Sequence, residues 1–201
     1  MARTPYIPKE KPAFPYERKY SWSQHSSFKY SPMQWYKKYV LGEETPPSSE
    51  MLFGNVCGGL LASDPSYLPE VERATIFEQE LHGKVGDIEL IGFLDSFCPE
   101  KKILLEYKTS RNKKTWNHSS ANKHQQIDFY CYLIYHTYKI KPEELTIKLI
   151  YIPTHVHEGD IVLSGEKPQT FNVKKTMADI LSFANEIVEQ RKKMEAFYHL
   201  Q

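Results

Sequence analysis

Two short apolar runs that follow one another directly, residues 91–97 and 103–110, constrain the fold most strongly. Asp95 interrupts the first run, and Glu106 and Lys108 interrupt the second. Runs of this length, rich in Ile, Leu and Phe and joined by a polar turn, predict two neighbouring antiparallel strands. Because a buried charge is costly unless it is paired, these acids need a physical reason to be there.

The expected register of this hairpin brings the charged residues together. A turn centred on Glu100 and Lys101 would pair residues whose numbers add to 201, which sets Asp95 opposite Glu106. Side chains two apart on a strand project to the same face, so Lys108 is expected to point with Glu106. The hairpin therefore predicts two carboxylates and an ammonium group within a few ångströms.

Two adjacent carboxylates repel each other and resist burial unless a cation joins them. Oxygen ligands in a partly hydrated site suit Mg²⁺ or Mn²⁺ better than zinc. A metal in that place can polarise a phosphoryl oxygen and activate a water, while the lysine neutralises developing charge. These residues favour phosphodiester hydrolysis.

A salt bridge on a half-exposed hairpin is the alternative explanation. Glu-x-Lys occurs three times, beginning at Glu17, Glu100 and Glu106, so the tripeptide alone is a weak signal. Only Glu106 lies inside an apolar strand that directly follows another strand with an acid. That context favours the metal site.

The rest of the chain predicts one α/β domain, with a mixed central sheet flanked by helices. Residues 1–20, with four prolines, predict a flexible or extended N-terminal arm, and residues 21–201 the domain. Expected helices cover about 21–42 with a break or start at Pro32, 50–63, 125–140 and 177–198; further strands are expected at 74–83, 145–153, 160–164 and 169–173.

Charge, cysteine content and hydrophobicity limit the partners and the cellular compartment that we expect. The net charge of +1 excludes a uniformly basic coat but leaves room for a local basic patch. The three cysteines form no C-x-x-C pair, which is typical of reduced thiols in a cytoplasmic protein. No apolar run reaches the length of a membrane span, so we expect a cytoplasmic chain with no membrane partner.

The segments "IGFLDSF" and "LLEYKTS" resemble the G-x-x-D and (D/E)-x-K motifs of the PD-(D/E)XK nuclease superfamily, in its RecB-like exonuclease branch. "SPMQWYKKYVLG" and "MLFGNVCGGLL" are similar to the helical segments that precede the catalytic sheet, and "HQQIDFY" to the Gln-x-x-x-Tyr motif that follows it. In all, about residues 21–152 follow the family order. The resemblance implies a restriction-endonuclease-like core.

The resemblance also implies roles for individual residues. Asp95 and Glu106 would be metal ligands, with the Tyr107 carbonyl as a third, and Lys108 would be the catalytic lysine. Gln126 and Tyr130, four apart on one helical face, would support the site or contact DNA. The other interpretation of that pair is an ordinary half-buried helix face.

An additional acid on the preceding strand is common in the branch. Either Glu80 or Glu78 could supply it, and Glu80 is slightly favoured.

Two departures from the family pattern are visible. Many relatives carry a metal-binding histidine at the end of "FGxxxH", whereas "FGNVCG" ends in Gly58 here. Relatives with an iron–sulfur cluster carry a cysteine before the proline of the first helix and three more near the C-terminus. Ser31 stands before Pro32, and no cysteine follows Cys131, so no cluster is expected.

The connection after the second strand is basic. Positive side chains there would hold a DNA backbone, and an aromatic ring could stack on an unpaired base. The alternative is a solvated basic loop. The residues concerned are Arg111, Lys113, Lys114, Trp116 and Lys123.

Together these features predict a Mg²⁺- or Mn²⁺-dependent deoxyribonuclease, with an exonuclease of phage or viral type as the first choice. Its expected partners are single- or double-stranded DNA and a recombination or replication protein. A single-strand endonuclease and a catalytically inactive nucleic-acid-binding module are the alternatives.

Overall fold

The computed structural model describes residues 13–201 of the chain and contains six helices and six strands within that range. The helices are α1 (Trp22–Tyr30), α2 (Pro32–Trp35), α3 (Ser49–Ser63), α4 (His118–Asn122), α5 (Gln125–Tyr138) and α6 (Met177–Leu200). The strands are β1 (Ile76–Val85), β2 (Ile88–Cys98), β3 (Ile103–Ser110), β4 (Thr146–His157), β5 (Asp160–Leu163) and β6 (Gln169–Val173). The predicted α/β class is confirmed.

One mixed sheet carries all six strands. β1, β2 and β3 are consecutive antiparallel neighbours, and β4 then lies parallel to β3. A parallel neighbour requires a crossover connection, which α4 and α5 provide. Beyond β3, β4 pairs antiparallel with β6 along its first half and with β5 near its end.

Helices cover both faces of this sheet. The main core packs α5 and α6 against one face, with fully buried Leu90, Leu94 and Leu104. A second cluster lies under α3 on the other face and contains Leu61 and Leu105. Because Leu104 and Leu105 are neighbours on β3, their opposite directions show that the strand is buried on both sides.

The break predicted at Pro32 is present. α1 ends at Tyr30, Ser31 caps the next helix through a hydrogen bond from Gln34 N, and Pro32 occupies its first turn, where its missing N–H is not needed. A π-helical turn follows, and Gly42 beyond it has a φ of +70°, which suits glycine.

Only the last part of the predicted N-terminal arm lies within the described residues. Residues 1–12 lie outside the described residues, but residues 13–20 pack against the domain, with Phe14 and Tyr20 buried. Tyr20 N donates a hydrogen bond to Glu89 O at 2.7 Å, and Ile91 N donates to Tyr20 O at 2.9 Å. The domain therefore begins before residue 20, because an aromatic segment occupies an edge of β2.

None of the helices in residues 13–201 is long and apolar enough to cross a membrane. Cys57, Cys98 and Cys131 are buried free thiols.

Candidate active site

The sheet forks where the acids lie. β2 and β3 pair over only three positions, Ser96–Leu105, Phe97–Leu104 and Cys98–Ile103, and their numbers add to 201 as predicted. Past this point β2 stays with β1, while β3 stays with β4. Asp95 and Glu106, the next residues on the two strands, therefore stand at the opening of the fork.

The Asp95 carboxylate accepts a backbone hydrogen bond at the position where the pairing between β2 and β3 ends. Its Oδ2 accepts a hydrogen bond from Tyr107 N at 2.8 Å, so the side chain occupies the gap between the separating strands. The alternation of β2 also changes here: Leu94 faces the main core, whereas Ser96 Oγ accepts from Ala74 N beside the second cluster. A local irregularity in the strand thus aims the carboxylate into the fork.

Glu106 is the most deeply buried charge of the site, with no exposed side-chain surface. Lys108 Nζ lies 2.5 Å from its Oε1, but neither carboxylate oxygen accepts a well-aligned hydrogen bond within residues 13–201. Burial, followed by the negative charge of Asp95, raises the pKa of Glu106 to about 8, although Lys108 opposes this. Burial also raises the pKa of Asp95.

Lys108 keeps its charge in this setting. Burial lowers the pKa of its ammonium group, but the charges of Glu106 and Asp95 outweigh burial and leave the pKa above its usual value. Its Nζ donates to Gln126 Oε1 at 2.9 Å, and Gln126 Nε2 donates to Tyr130 OH at 2.7 Å. The predicted helical pair therefore reaches the site through Lys108.

Gly92 explains why α5 can approach so closely. A Cβ at this position would lie 2.5 Å from Leu133 Cδ1 and 3.1 Å from Phe129 Cε1, both on α5. Because Gly92 has no side chain, α5 can lie close against β2. This close approach brings Gln126 and Tyr130 of α5 toward Lys108. The glycine of the G-x-x-D segment thus has a packing role.

Glu80 and Glu78, the two candidate acids of β1, have different surroundings in the structure. Glu80 Oε1 lies 2.7 Å from His82 Nε2, half exposed on β1. Glu78 lies on β1 between the paired positions Phe77–Ser96 and Gln79–Leu94 that flank Asp95, has a φ of +49°, and lines the same cavity as Asp95. Burial and the charge of Asp95 raise the pKa of Glu78. The sequence missed this because regular alternation placed both acids on one face.

A cavity of ≈ 300 Å³ opens above the fork, with α3 as its outer wall. Glu50, Gly54 and Gly58 recur every four residues and turn one face of α3 toward the acids. This face was not predicted, although the four-residue spacing was a usable signal. A Cβ at Gly58 would meet nothing within 4 Å, so this wall of the cavity is open at Gly58.

The donor set suits a hydrated hard cation. Within residues 13–201 no three His, Cys, Asp or Glu side chains converge as a complete metal centre. Two carboxylates are nevertheless sufficient for Mg²⁺, which keeps several waters and binds through one or two carboxylates. The buried Glu106 oxygens without aligned donors are the observation that fits such an ion.

The basic loop is placed beside the cavity, but two of its charges are paired. Arg111 Nη2 lies 2.6 Å from Glu50 Oε1, and Lys113 Nζ lies 2.5 Å from Glu166 Oε1. Lys114 and Lys123 are exposed.

Trp116 is less accessible than expected for a ring that stacks on an unpaired base. Its ring is partly buried, packs against the main core and meets His124 edge-on at 5.1 Å between centroids. His124, which sequence reasoning did not single out, has a pKa lowered to about 3 by burial and by the charge of Lys108.

Substitution of Glu106 by glutamine is expected to stabilise the cation-free protein at neutral and higher pH. The carboxyl group loses its proton near pH 4.5 in the unfolded chain but only near pH 8 in the folded one. Between these values wild type should lose about 1.4 kcal/mol of stability per pH unit relative to Glu106→Gln. Urea unfolding in EDTA at pH 5 and pH 8 measures the difference.

The difference should be small at pH 5 and large at pH 8. Equal stability of the two proteins at pH 8 would show that Glu106 carries no burial penalty.

The chain matches no protein-family model and no curated protein by sequence. Among solved structures, it is similar to a candidate exonuclease from Eubacterium rectale, with a TM-score of 0.55 and 11% identity, over 89% of this chain and 80% of that one. It is also similar to a phage-related exonuclease from Haemophilus somnus 129PT, with a TM-score of 0.57 and 10% identity, over 86% of this chain and 83% of that one. At this identity the likeness shows a shared fold.

Proposed function

We propose that this protein is a Mg²⁺- or Mn²⁺-dependent deoxyribonuclease of the PD-(D/E)XK type, in its RecB-like branch. The observation that carries the proposal is the meeting of Asp95, Glu106 and Lys108 at the fork of the sheet, beside a cavity walled by α3. Paired acids in a sheet, with a lysine beside them, cost folding energy and have little use in a purely structural hairpin.

Asp95 and Glu106 are the residues that would hold the cation, with the Tyr107 carbonyl as a further oxygen donor. When bound, the ion would balance the two carboxylates and polarise a phosphoryl oxygen of the substrate. Glu78 lies near enough to Asp95 to raise the negative potential of the cavity and to hold water at its rim.

Lys108 supplies the fixed positive charge. Its side chain is only 25% exposed, so its interaction with a phosphate is screened less than that of a surface lysine. In that position it can neutralise charge that develops on the phosphate, or orient the attacking water. Gln126, held by Tyr130, is a positioning residue because it accepts one of the three ammonium hydrogens.

The substrate backbone would lie along the basic loop. Arg111 and Lys113 can exchange their exposed carboxylate partners for DNA phosphates, because exposed ion pairs contribute little to stability. Lys114 and Lys123 would add further phosphate contacts, and Trp116 would offer a base only the exposed part of its ring. An exonuclease acting in phage-type recombination, replication or repair, with a protein of that process as partner, is our first choice.

A cleavage assay tests the proposal. End-labelled linear and circular DNA, single- and double-stranded, would be incubated with Mg²⁺, Mn²⁺ or EDTA. We expect cutting with the cations and none with EDTA; attack on circles would identify the single-strand endonuclease instead. DNA binding without cutting under all conditions would refute the nuclease.

A non-catalytic nucleic-acid-binding module is the second candidate. Gly58 favours it, since glycine supplies no ligand at that position of α3, and no three His, Cys, Asp or Glu side chains within residues 13–201 form a metal centre. Cleavage with either cation would exclude it.

A further inference from the structure

A second cavity continues the first past the end of β3. The inner cavity holds Asp95 and Lys108, and the outer one, of ≈ 490 Å³, is lined by Ser110, Arg111 and Asn112. Glu50 and Thr109 line both. The two spaces are therefore successive parts of one groove between α3 and β3.

An ion pair crosses the groove where the two cavities meet. Glu50 lies in the first turn of α3, Arg111 directly follows β3, and the pair is 2.6 Å apart. Both side chains are about half exposed, at 48% and 51%. An exposed pair of this kind is weak, so a competing anion can replace the carboxylate.

We propose that the outer cavity binds the nucleotide next to the reacting one, and that a backbone phosphate of a single strand replaces Glu50 on Arg111. This inference rests on the proposed nuclease function and names its substrate class. An arginine fork binds phosphate with two parallel hydrogen bonds, which compensates for the loss of Glu50. Glu50 then acts against binding, because it competes for the same guanidinium group.

The dimensions of the groove favour a single strand. Asp95 and Lys108 line the inner cavity, whereas the side chain of Glu106 has no exposed surface, so a scissile phosphate would reach the site through the inner cavity. A space of ≈ 300 Å³ is comparable with one nucleotide and far smaller than a duplex segment. A strand that lies in both cavities would pass the Glu50–Arg111 pair, because Glu50 lines both of them and Arg111 lines the outer one.

A double-mutant cycle tests the exchange. Binding of a short labelled oligothymidylate and of a blunt hairpin duplex would be measured by fluorescence anisotropy with Mg²⁺, in the Lys108→Ala background that slows cutting. Glu50→Gln should tighten single-strand binding about three- to fivefold. Arg111→Gln should weaken it at least about tenfold, and Glu50→Gln should have no effect in that variant.

Glu144→Gln is the matched control. Glu144 Oε1 lies 2.6 Å from Lys102 Nζ, so this substitution breaks an exposed ion pair of the same length at the other end of β3. It should leave single-strand binding unchanged. A Glu50→Gln effect that persists without Arg111 would indicate general repulsion and overturn the exchange. Equal affinity for the duplex would overturn the single-strand assignment.

The nuclease activity and the exchange of Glu50 for a phosphate can be tested separately. If wild type does not cut DNA but the Glu50 and Arg111 variants change single-strand binding as expected, the nuclease proposal fails and the exchange at Arg111 stands. If wild type cuts DNA and Glu50→Gln changes neither affinity nor KM, the exchange alone fails.

Discussion

Lys108→Ala is expected to reduce the rate of DNA cleavage by about 10²- to 10³-fold, the usual effect of removing one preorganised charge-stabilising group. The ammonium group is partly buried, 2.5 Å from Glu106 and held by Gln126, so water cannot replace it with the same geometry. Initial rates on end-labelled single-stranded DNA with Mn²⁺ measure the loss.

Lys148→Ala is the matched control for this substitution. Lys148 lies on the adjacent strand β4, is 23% exposed, and pairs with Glu72 at 2.6 Å, so it resembles Lys108 in burial and pairing. It should keep nearly the full cleavage rate, because it does not line the cavity that holds Asp95. A similar loss in both variants would mean that disturbed packing, and not the site, causes the effect.

Gly92→Val is expected to lower the free energy of unfolding by roughly 2–3 kcal/mol, which is typical of overpacking in a closely packed core. The new Cβ would lie 2.5 Å from Leu133 Cδ1 and 3.1 Å from Phe129 Cε1, so α5 must move away from β2. Gln126 would move with α5, and cleavage should fall as well. Urea unfolding followed by circular dichroism measures the stability.

Gly59→Ala is the control for Gly92→Val, because it adds a side chain to a glycine that has free space around it. Gly59 lies within α3, and a Cβ there meets nothing within 4 Å, so alanine should stabilise the protein by about 0.5–1 kcal/mol. If Gly92→Val were as stable as wild type, α5 would not depend on this glycine for its approach, and the packing explanation for the G-x-x-D segment would be wrong.

The sequence predicted the hairpin and its register because both depend on local information. The turn around Glu100 and the period of the apolar residues define which positions face each other, and the paired residues of β2 and β3 follow that register. The long helix α5 was equally clear, since its apolar positions follow one face over several turns.

The features that the sequence does not reveal depend on an irregular backbone or on contacts between residues distant in the chain. Glu78 joins Asp95 only because its backbone has a positive φ, which no residue pattern on β1 announces. The burial of Phe14 depends on Trp35 and Tyr198, at the two ends of the domain. Regular alternation and local composition cannot anticipate either feature.

The melting temperature of wild type against Mn²⁺ concentration, beside that of Asp95→Asn, tests most directly whether the paired acids form a cation site. An ion that binds only the folded state stabilises it by about 2.7 kcal/mol at a hundred times its dissociation constant. In wild type we expect the melting temperature to keep rising with the logarithm of the Mn²⁺ concentration above the dissociation constant, and in Asp95→Asn we expect little or no rise. Equal curves for the two proteins, or no rise in either, would contradict a cation site at the fork of the sheet.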